Sequence, residues 1–391
     1  MKQPTPHHHL PALVARVIAE ASRTKPADDV LRATLRTAGG LTAAESREVS
    51  RAVFAYYRWF GWLDQTLPVG EQVEGAMEMA RRFGDAPERF FGDELLAHAV
   101  PAWAREEMDV TPEWAAAIQD EPVLWLRARC GQGEKLSKRL GAGAVHARTE
   151  AAATGQFTLP DALLYDGTRD LFQTAEFHEG AFEIQDIASQ AVGLICDPKP
   201  GETWWDTCAG EGGKTLHLSD LMQNKGLIWA SDRAAWRLKK LKLRAGRAKC
   251  FNYRAALWDG GERLPTRTKF DGVLVDAPCS GTGTWQRNPH ARWTTTLEDV
   301  RELAEVQKRL LANVAPAVKP GARLIYSVCT LARSETSAVA EQFSKNHPEF
   351  APLPLANPFQ PPTPPTPQLW LWPQDTGGNG MFVAAWQRAK V

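Results

Sequence analysis

Two cysteines carry the strongest chemical signal in the chain. Cys279 lies in Asp276-Ala-Pro-Cys279-Ser-Gly-Thr-Gly283, and Cys329 lies in Tyr326-Ser-Val-Cys329-Thr. Each follows a short apolar run that reads as a strand. A lone cysteine usually acts as a small buried hydrophobe. Two at the C-terminal ends of strands in one sheet, with Asp276 close by, point instead to thiolate chemistry. A free thiol has a pKa of about 8.5, so such a site must tune it.

The segment Asp206-Thr-Cys-Ala-Gly-Glu-Gly-Gly-Lys214 is a second candidate. Its glycines let the backbone turn tightly and approach a ligand closely. The helix that follows offers unpaired N–H groups. The spacing is neither GxGxxG nor GxxxxGK[ST]. It better fits a loop holding the carboxylate and ammonium of S-adenosylmethionine, formed by Cys208, Ala209, Gly210, Glu211, Gly212, Gly213 and Lys214. A glycine-rich structural turn is the plainer alternative. Asp232 ends the next strand, where an acid can serve ribose hydroxyls or cap a helix. The residues leave those two roles evenly matched.

Residues 237–254 hold eight basic residues and no acid. On a helix, Leu238, Leu241 and Ala245 form the buried stripe, and Arg237, Lys240, Arg244 and Arg247 fall on another face. A solvated surface explains such a run as well as phosphate contact does. Trp285-Gln-Arg287-Asn-Pro-His-Ala-Arg292-Trp293 alternates aromatic and basic residues, the composition of a stacking platform for unpaired bases. Arg287 and Arg292 are therefore RNA candidates alongside Arg237, Lys240 and Arg244.

The elements that must position these residues follow from periodicity. From about residue 181, strands ending near Asp206, Ser231, Asp276 and Val328 alternate with helices, which argues for a parallel, doubly wound α/β sheet. Ligands in such sheets bind beyond the C-terminal strand ends. Residues 121–180 read as a small α+β module: a strand over Val123–Arg129, a helix over Glu134–Leu140 and a strand over Gln156–Leu164. Residues 1–120 read as helical. Leu10, Leu13, Val14, Val17 and Ile18 form an amphipathic stripe. Thr42 and Glu45 make a capping-box pattern. Residues 351–373 hold 9 of the 27 prolines, a stiff surface excursion.

The 391 residues are 43% hydrophobic and 24% charged, which excludes a wholly disordered or fibrous chain. The net charge of zero hides an asymmetry. Residues 1–180 carry 20 basic and 26 acidic side chains, and residues 181–391 carry 26 and 20, so the C-terminal half is the better polyanion site. No uncharged apolar run is long enough to span a membrane. Met1–Leu10, including His7, His8 and His9, lacks the features of a secretory signal. The six cysteines form no CxxC pair, so no metal site is expected, and a reducing cytoplasm suits them.

Glu183-Ile-Gln-Asp-Ile-Ala-Ser-Gln190, the Cys208–Lys214 loop, Asp276-Ala-Pro-Cys279-Ser and Tyr326-Ser-Val-Cys329-Thr together resemble the Nop/Sun family of S-adenosylmethionine-dependent RNA (cytosine-5) methyltransferases. The four motifs stand in the family's order over residues 181–391. Residues 8–67 more weakly resemble the NusB-like helical domain of its bacterial rRNA members. The resemblance implies a Rossmann-like methyltransferase domain, a monomer and an rRNA substrate. A tRNA substrate, or a non-catalytic ribosome assembly role, is the alternative. It implies Cys329 as the nucleophile, Cys279 as the residue assisting release, and Asp276 as the acid beside them. The cofactor would lie on Cys208–Lys214, Asp232, Asn252 and Asp276. Three positions depart from the family pattern. Glu211 stands in a loop where relatives have Ala-Pro, Asn252 where they have Asp near the adenine, and His290 where an Asn-Pro-Asp pattern has its acid. None removes a catalytic group.

Overall fold

The computed structural model describes residues 10–90, 92–141, 143–146, 159–359 and 364–390. His7–His9 and the start of the expected 156–164 strand lie outside them. The chain divides into two compact units: residues 1–121 with 284–299, and residues 122–283 with 300–391.

The first unit is helical. Its main helices are Leu10–Glu20, Ala27–Ala38, Ala43–Trp59 and Val69–Asp85. The capping box forms as expected. The Glu45 N–H donates to Thr42 Oγ1 at 3.2 Å, and the Thr42 N–H donates to Glu45 Oε2 at 2.7 Å. Such a cap is worth about 1 kcal/mol. Val14, Val17, Val49, Val53, Tyr56 and Tyr57 are buried in the core of this unit.

Residues 284–299 belong to this helical unit, not to the sheet whose strands flank them in sequence. This corrects the RNA reading of Arg292. Its guanidinium is fully buried and donates to the carbonyls of Ile118 at 2.8 Å, Ala99 at 3.0 Å and Arg58 at 3.3 Å. Trp285 is fully buried, its ring centroid 5.8 Å from that of Trp103. Trp293 donates its indole N–H to the Tyr57 carbonyl at 2.7 Å. His290 is buried edge-on to Tyr57. Of the aromatic and basic residues of the expected platform, only Arg287 is exposed. Alternating aromatic and basic residues suit a base-stacking surface, and equally a segment whose arginine satisfies carbonyls in a core.

The second unit contains two sheets. The smaller is antiparallel, built from β1 (Leu124–Ala128), β2 (Ala144–His146), β3 (Ala162–Tyr165) and β4 (Phe182–Ile184), in the order β2-β3-β1-β4. The expected α+β module is thus present, but it forms one compact unit with the larger sheet. Arg127 and Arg129 both pair with Asp220, which ties the two parts together.

The larger sheet comprises β5 (Thr203–Asp206), β6 (Leu227–Asp232), β7 (Tyr253–Leu257), β8 (Phe270–Asp276), β9 (Val318–Val328), β10 (Phe350–Pro352), β11 (Gln368–Leu371) and β12 (Met381–Arg388). Its order is β10-β12-β9-β8-β5-β6-β7, with β11 paired to β12. Neighbours from β9 to β7 are parallel, and β12 is antiparallel to β9. Alternate residues along the strands enter separate cores. Trp205, Val273, Val275, Leu324 and Tyr326 pack with Leu311, Val314, Val339 and Phe343 from helices Leu297–Val314 and Ser337–Asn346. Trp204, Leu274 and Ile325 pack with Ile187, Ala191 and Leu218 from helices Ile187–Cys196 and Gly213–Leu221. Helices therefore cover both faces, the doubly wound arrangement expected. The chain runs outward from β5 to β7 and returns on the other side at β8, so a crevice opens where β5 and β8 end.

Arg292→Ala should remove a buried donor from several carbonyls and cost on the order of 3 kcal/mol in denaturant unfolding of the helical unit. A phosphate-contact role would instead leave the unfolding curve unchanged.

Candidate active site

The crevice forms a cleft of about 430 Å³ at the C-terminal ends of the parallel strands. Its floor is the loop between β5 and helix Gly213–Leu221. Gly212 has φ of +92°, and a Cβ there would lie 2.8 Å from Leu241 Cγ. Only glycine suits both the conformation and the space. The Gly210 N–H donates to Asp232 Oδ2 at 3.0 Å, and the Ala234 N–H donates to Asp232 Oδ1 at 2.8 Å. Asp232 thus shapes the glycine loop and the turn into helix Ala235–Arg247 while lining the cleft. The helix N-cap itself is Ala234.

Lys214, Asp276 and Asp206 are among the further charged residues that line the cleft. The Lys214 ammonium lies 2.7 Å from Asp276 Oδ2, and the Ser327 hydroxyl donates to Asp276 Oδ1 at 2.8 Å. Burial works against the Lys214 charge, but the Asp276 carboxylate outweighs it and keeps the ammonium pKa above the usual lysine value. Asp206 ends β5 beneath the loop. Its Oδ2 accepts the Thr215 hydroxyl at 2.6 Å, while its Oδ1 is buried with no partner among the described residues. Burial pushes the Asp206 carboxyl up to about 7, with Asp276 adding to the effect and the Thr215 hydrogen bond opposing it.

The two cysteine sulfurs lie 3.4 Å apart on the other wall. The hydrogen bond between them, given to Cys329, is the largest cause lowering the Cys329 thiol below its ordinary value. Burial opposes it, and Lys214 assists it. Cys279 is raised, by that hydrogen bond first and by burial second. The two charges of the ion pair act on Cys329 in opposite senses, Asp276 raising its thiol and Lys214 lowering it. Burial pushes the Cys208 thiol up to about 12, so Cys208 lines the cleft as a neutral group. Among the described residues, no cluster of His, Cys, Asp or Glu could hold a metal ion.

Residues 193–387 match the family described as 16S rRNA methyltransferase RsmB/F. The chain belongs to this branch of the Nop/Sun methyltransferase family. A probable ribosomal RNA small subunit methyltransferase B from Synechocystis sp. is 35% identical over 66% of this chain and 57% of its own length. Ribosomal RNA small subunit methyltransferase B from Cronobacter sakazakii is 30% identical over 74% of this chain and 64% of its own. The chain therefore spans less than two thirds of these relatives. The crystal structure of PH0851 shares the fold, with a TM-score of 0.78 and 24% identity over 99% of this chain and 100% of that one. A methyltransferase homolog from Pyrococcus horikoshii is 27% identical, with a TM-score of 0.56 over 71% of this chain and 90% of its own.

In this RsmB/F-family chain the structure brings together Cys279, Cys329, Asp276, Asp232 and most of the Cys208–Lys214 loop. It does not bring Asn252 there. Asn252 precedes β7, and its carbonyl accepts the N–H of Ile228 near the start of β6, so it lies at the opposite strand end from Asp232. Its side chain accepts the Ser219 hydroxyl at 2.7 Å instead. The residues just after β7 that do reach the cleft are Trp258, Asp259 and Gly260. The sequence reading missed β7, since Tyr-Arg-Ala-Ala-Leu lacks apolar alternation, and so missed Asp259. Its signal was the Asp259-Gly260-Gly261 turn.

Arg244 also moves. It makes two hydrogen bonds, at 2.8 and 3.0 Å, to the buried Glu183 carboxylate, which Arg247 also meets at 2.6 Å. That carboxylate needs both cations, so Arg244 is held within the protein, not free for a phosphate. Lys240 pairs with Glu211 at 2.7 Å, which gives the unusual loop acid a partner. Arg237 reaches the cleft rim, 3.8 Å from Asp232.

Glu335 escaped the sequence reading altogether. Its fully buried carboxylate accepts the Ser280 N–H and the Gln307 amide, each at 2.9 Å, and the Thr330 hydroxyl at 2.9 Å. The Ser280 hydroxyl joins the same carboxylate. Ser280 follows Cys279 and Thr330 follows Cys329, so one side chain grips both cysteine loops. Burial raises the Glu335 carboxyl, and these donors pull it back. Glu335→Ala should slow oxidation of the Cys279–Cys329 pair to a disulfide roughly tenfold, by loosening the loops. Glu335→Gln, which keeps part of the network, should recover most of the rate. Mass-spectrometric thiol counting during mild diamide treatment reads this, and a parent-like rate in Glu335→Ala would remove Glu335 from a positioning role.

Proposed function

We propose that the chain is an S-adenosylmethionine-dependent RNA (cytosine-5) methyltransferase acting on rRNA. The observation that carries this reading is the pair of cysteines 3.4 Å apart at the ends of two neighbouring strands, beside the Lys214–Asp276 ion pair and over a glycine loop. Family membership supports methyl transfer to small-subunit rRNA. The NusB-like reading of residues 8–67 rests on their sequence pattern and helical structure.

The cleft fits the cofactor on its own features. Gly210 and Gly213 line it without side chains, the helix beginning at Gly213 presents N–H groups, and Asp206 has an orphaned carboxylate oxygen. The loop and Lys214 would face the methionine carboxylate, Asp232 the ribose, and Asp259 the base. When bound, S-adenosylmethionine supplies an electrophilic methyl group on a sulfonium.

The protein's task is to make cytosine C5 nucleophilic. Cys329, held toward its thiolate by the Cys279 hydrogen bond, adds to C6 and forms a carbon–sulfur bond. The ring's electron pair is then available at C5 to take the methyl group. Asp276, anchored by Lys214 and Ser327, would share a proton with N3 and so neutralise the charge that addition at C6 sends there. Once Cys329 is a thioether it no longer hydrogen-bonds as a thiolate, so the largest cause that raises Cys279 is removed. Cys279 gives its own proton to solvent and, as a thiolate, takes the C5 proton, and the Cys329–C6 bond breaks to restore the aromatic ring and the Cys329 thiolate. The target base must leave its stack to meet both sulfurs.

Cys329→Ala should abolish both adduct and 5-methylcytosine. Cys279→Ala should attack and methylate but release slowly, leaving an RNA–protein adduct that survives a denaturing gel. A trapped adduct in Cys329→Ala alone would reverse the two roles, as a DNA-type Pro-Cys nucleophile requires. Cofactor binding should also depend on pH. The cofactor's positive charge favours ionised Asp206, whose carboxyl otherwise titrates near 7. Affinity should therefore level off above pH 7 and fall by up to about tenfold per unit below it, as protons compete. Calorimetry between pH 5.5 and 8 reads the slope. Asp206→Asn should flatten it, and a flat parent profile would exclude Asp206 from the cofactor site.

A further inference from the structure

A second surface of the same unit has the chemistry of a nucleic-acid site. Helix Ala235–Arg247 and strand β7 leave an open groove between them, lined by Leu238, Lys239, Lys242, Phe251, Tyr253 and Leu257. β7 is the outermost strand, paired only with β6 among the described residues. Exposed apolar side chains stand on this edge and on the helix beside it. Phe251 and Leu243 are each 75% exposed, Leu257 62% and Trp236 54%. Isolated exposed apolar groups need no explanation, but Phe251 and Leu257 line one groove, with Leu243 and Trp236 exposed on the helix beside it. The groove adjoins the cleft in the chain: Leu257 lines the groove, and the next residue, Trp258, lines the cleft.

The charges decide what the groove fits. Residues 233–258 contain no acid. Arg244 and Arg247 serve Glu183, and Lys240 serves Glu211. Arg233, Lys239, Lys242, Lys249 and Arg254 form no ion pair among the described residues, and all are exposed. The free cations are thus not those that helical spacing alone selects. A second copy of the chain meeting this face would set like charges against each other as its apolar groups docked, which disfavours self-association. A polyanion with flat apolar faces satisfies both halves of the surface. Unpaired bases stack on exposed rings while lysines meet the phosphates.

We propose that this groove holds an unpaired stretch of the substrate RNA, with a base on Phe251 and phosphates on Lys239 and Lys242. The inference rests on the RNA-substrate reading above but not on its cytosine chemistry. Equilibrium binding of the full chain to a 16S rRNA transcript, over a series of potassium chloride concentrations, tests it. Lys239→Ala with Lys242→Ala should weaken binding roughly tenfold and lower the log–log salt slope by about 1.4, at about 0.7 per single-strand phosphate contact. Phe251→Ala should weaken binding roughly ten- to hundredfold at an unchanged slope, because stacking is lost and no charge is. All three residues are exposed, so circular dichroism melting and S-adenosylmethionine affinity should match the parent. Parent-like RNA affinity and slope in both variants would overturn the proposal. So would a change in sedimentation of the RNA-free protein in Phe251→Ala, which would assign the groove to a second copy. Failure to find 5-methylcytosine, with these binding changes intact, would defeat the cytosine reading and leave the groove standing.

Discussion

The site is organised around one ion pair, between Lys214 and Asp276. The ammonium belongs to the helix that follows β5, and the carboxylate ends β8, so the pair bridges the point where the sheet reverses direction. It lies largely out of water, where an unpaired charge would be costly. Three neighbours depend on it. Asp276 is held by Ser327 on its second oxygen, the Cys329 thiol feels the Lys214 charge, and Asp206 feels the Asp276 charge. One contact therefore joins the glycine loop to the cysteine wall, in electrostatics as well as in space.

Around it, polar groups are divided between chemistry and scaffold. Glu335, Gln307, Thr330 and Tyr326 form a buried network behind the cysteines. In a low-dielectric interior such a network is favourable only when its members are satisfied, and then it fixes a single arrangement. That suits two thiols whose reactivity depends on their spacing. Glu183 plays a similar part elsewhere, drawing Arg244 and Arg247 onto β4.

This division changes the meaning of the basic helix. Eight cations within eighteen residues look uniform in the sequence. In the folded protein some are partners of internal acids, and others have only solvent and a row of exposed apolar groups beside them. The same sorting applies to residues 284–299, where Arg292 serves a core and Arg287 stays exposed. Charge counts along a chain describe supply. Which cations remain available depends on acids far away in sequence.

The sequence by itself determined what is local. Alternating apolar strands and helices specified the doubly wound sheet. The Thr42–Glu45 capping box set a helix start. Cys279, Cys329, Asp276 and the glycine loop were legible because each follows a strand, and parallel strands place their ends together. Tertiary structure decided what depends on distant partners. Arg244 was claimed by Glu183, 61 positions earlier in the chain, and Glu335 reached back 55 positions to Ser280. Residues 284–299 left their flanking strands for the helical unit. Asn252 fell at the wrong strand end because an edge strand buries too little apolar surface to show its alternation. Periodicity records which face of an element is buried; it carries no record of which residue, tens of positions away, will pair with a given charge.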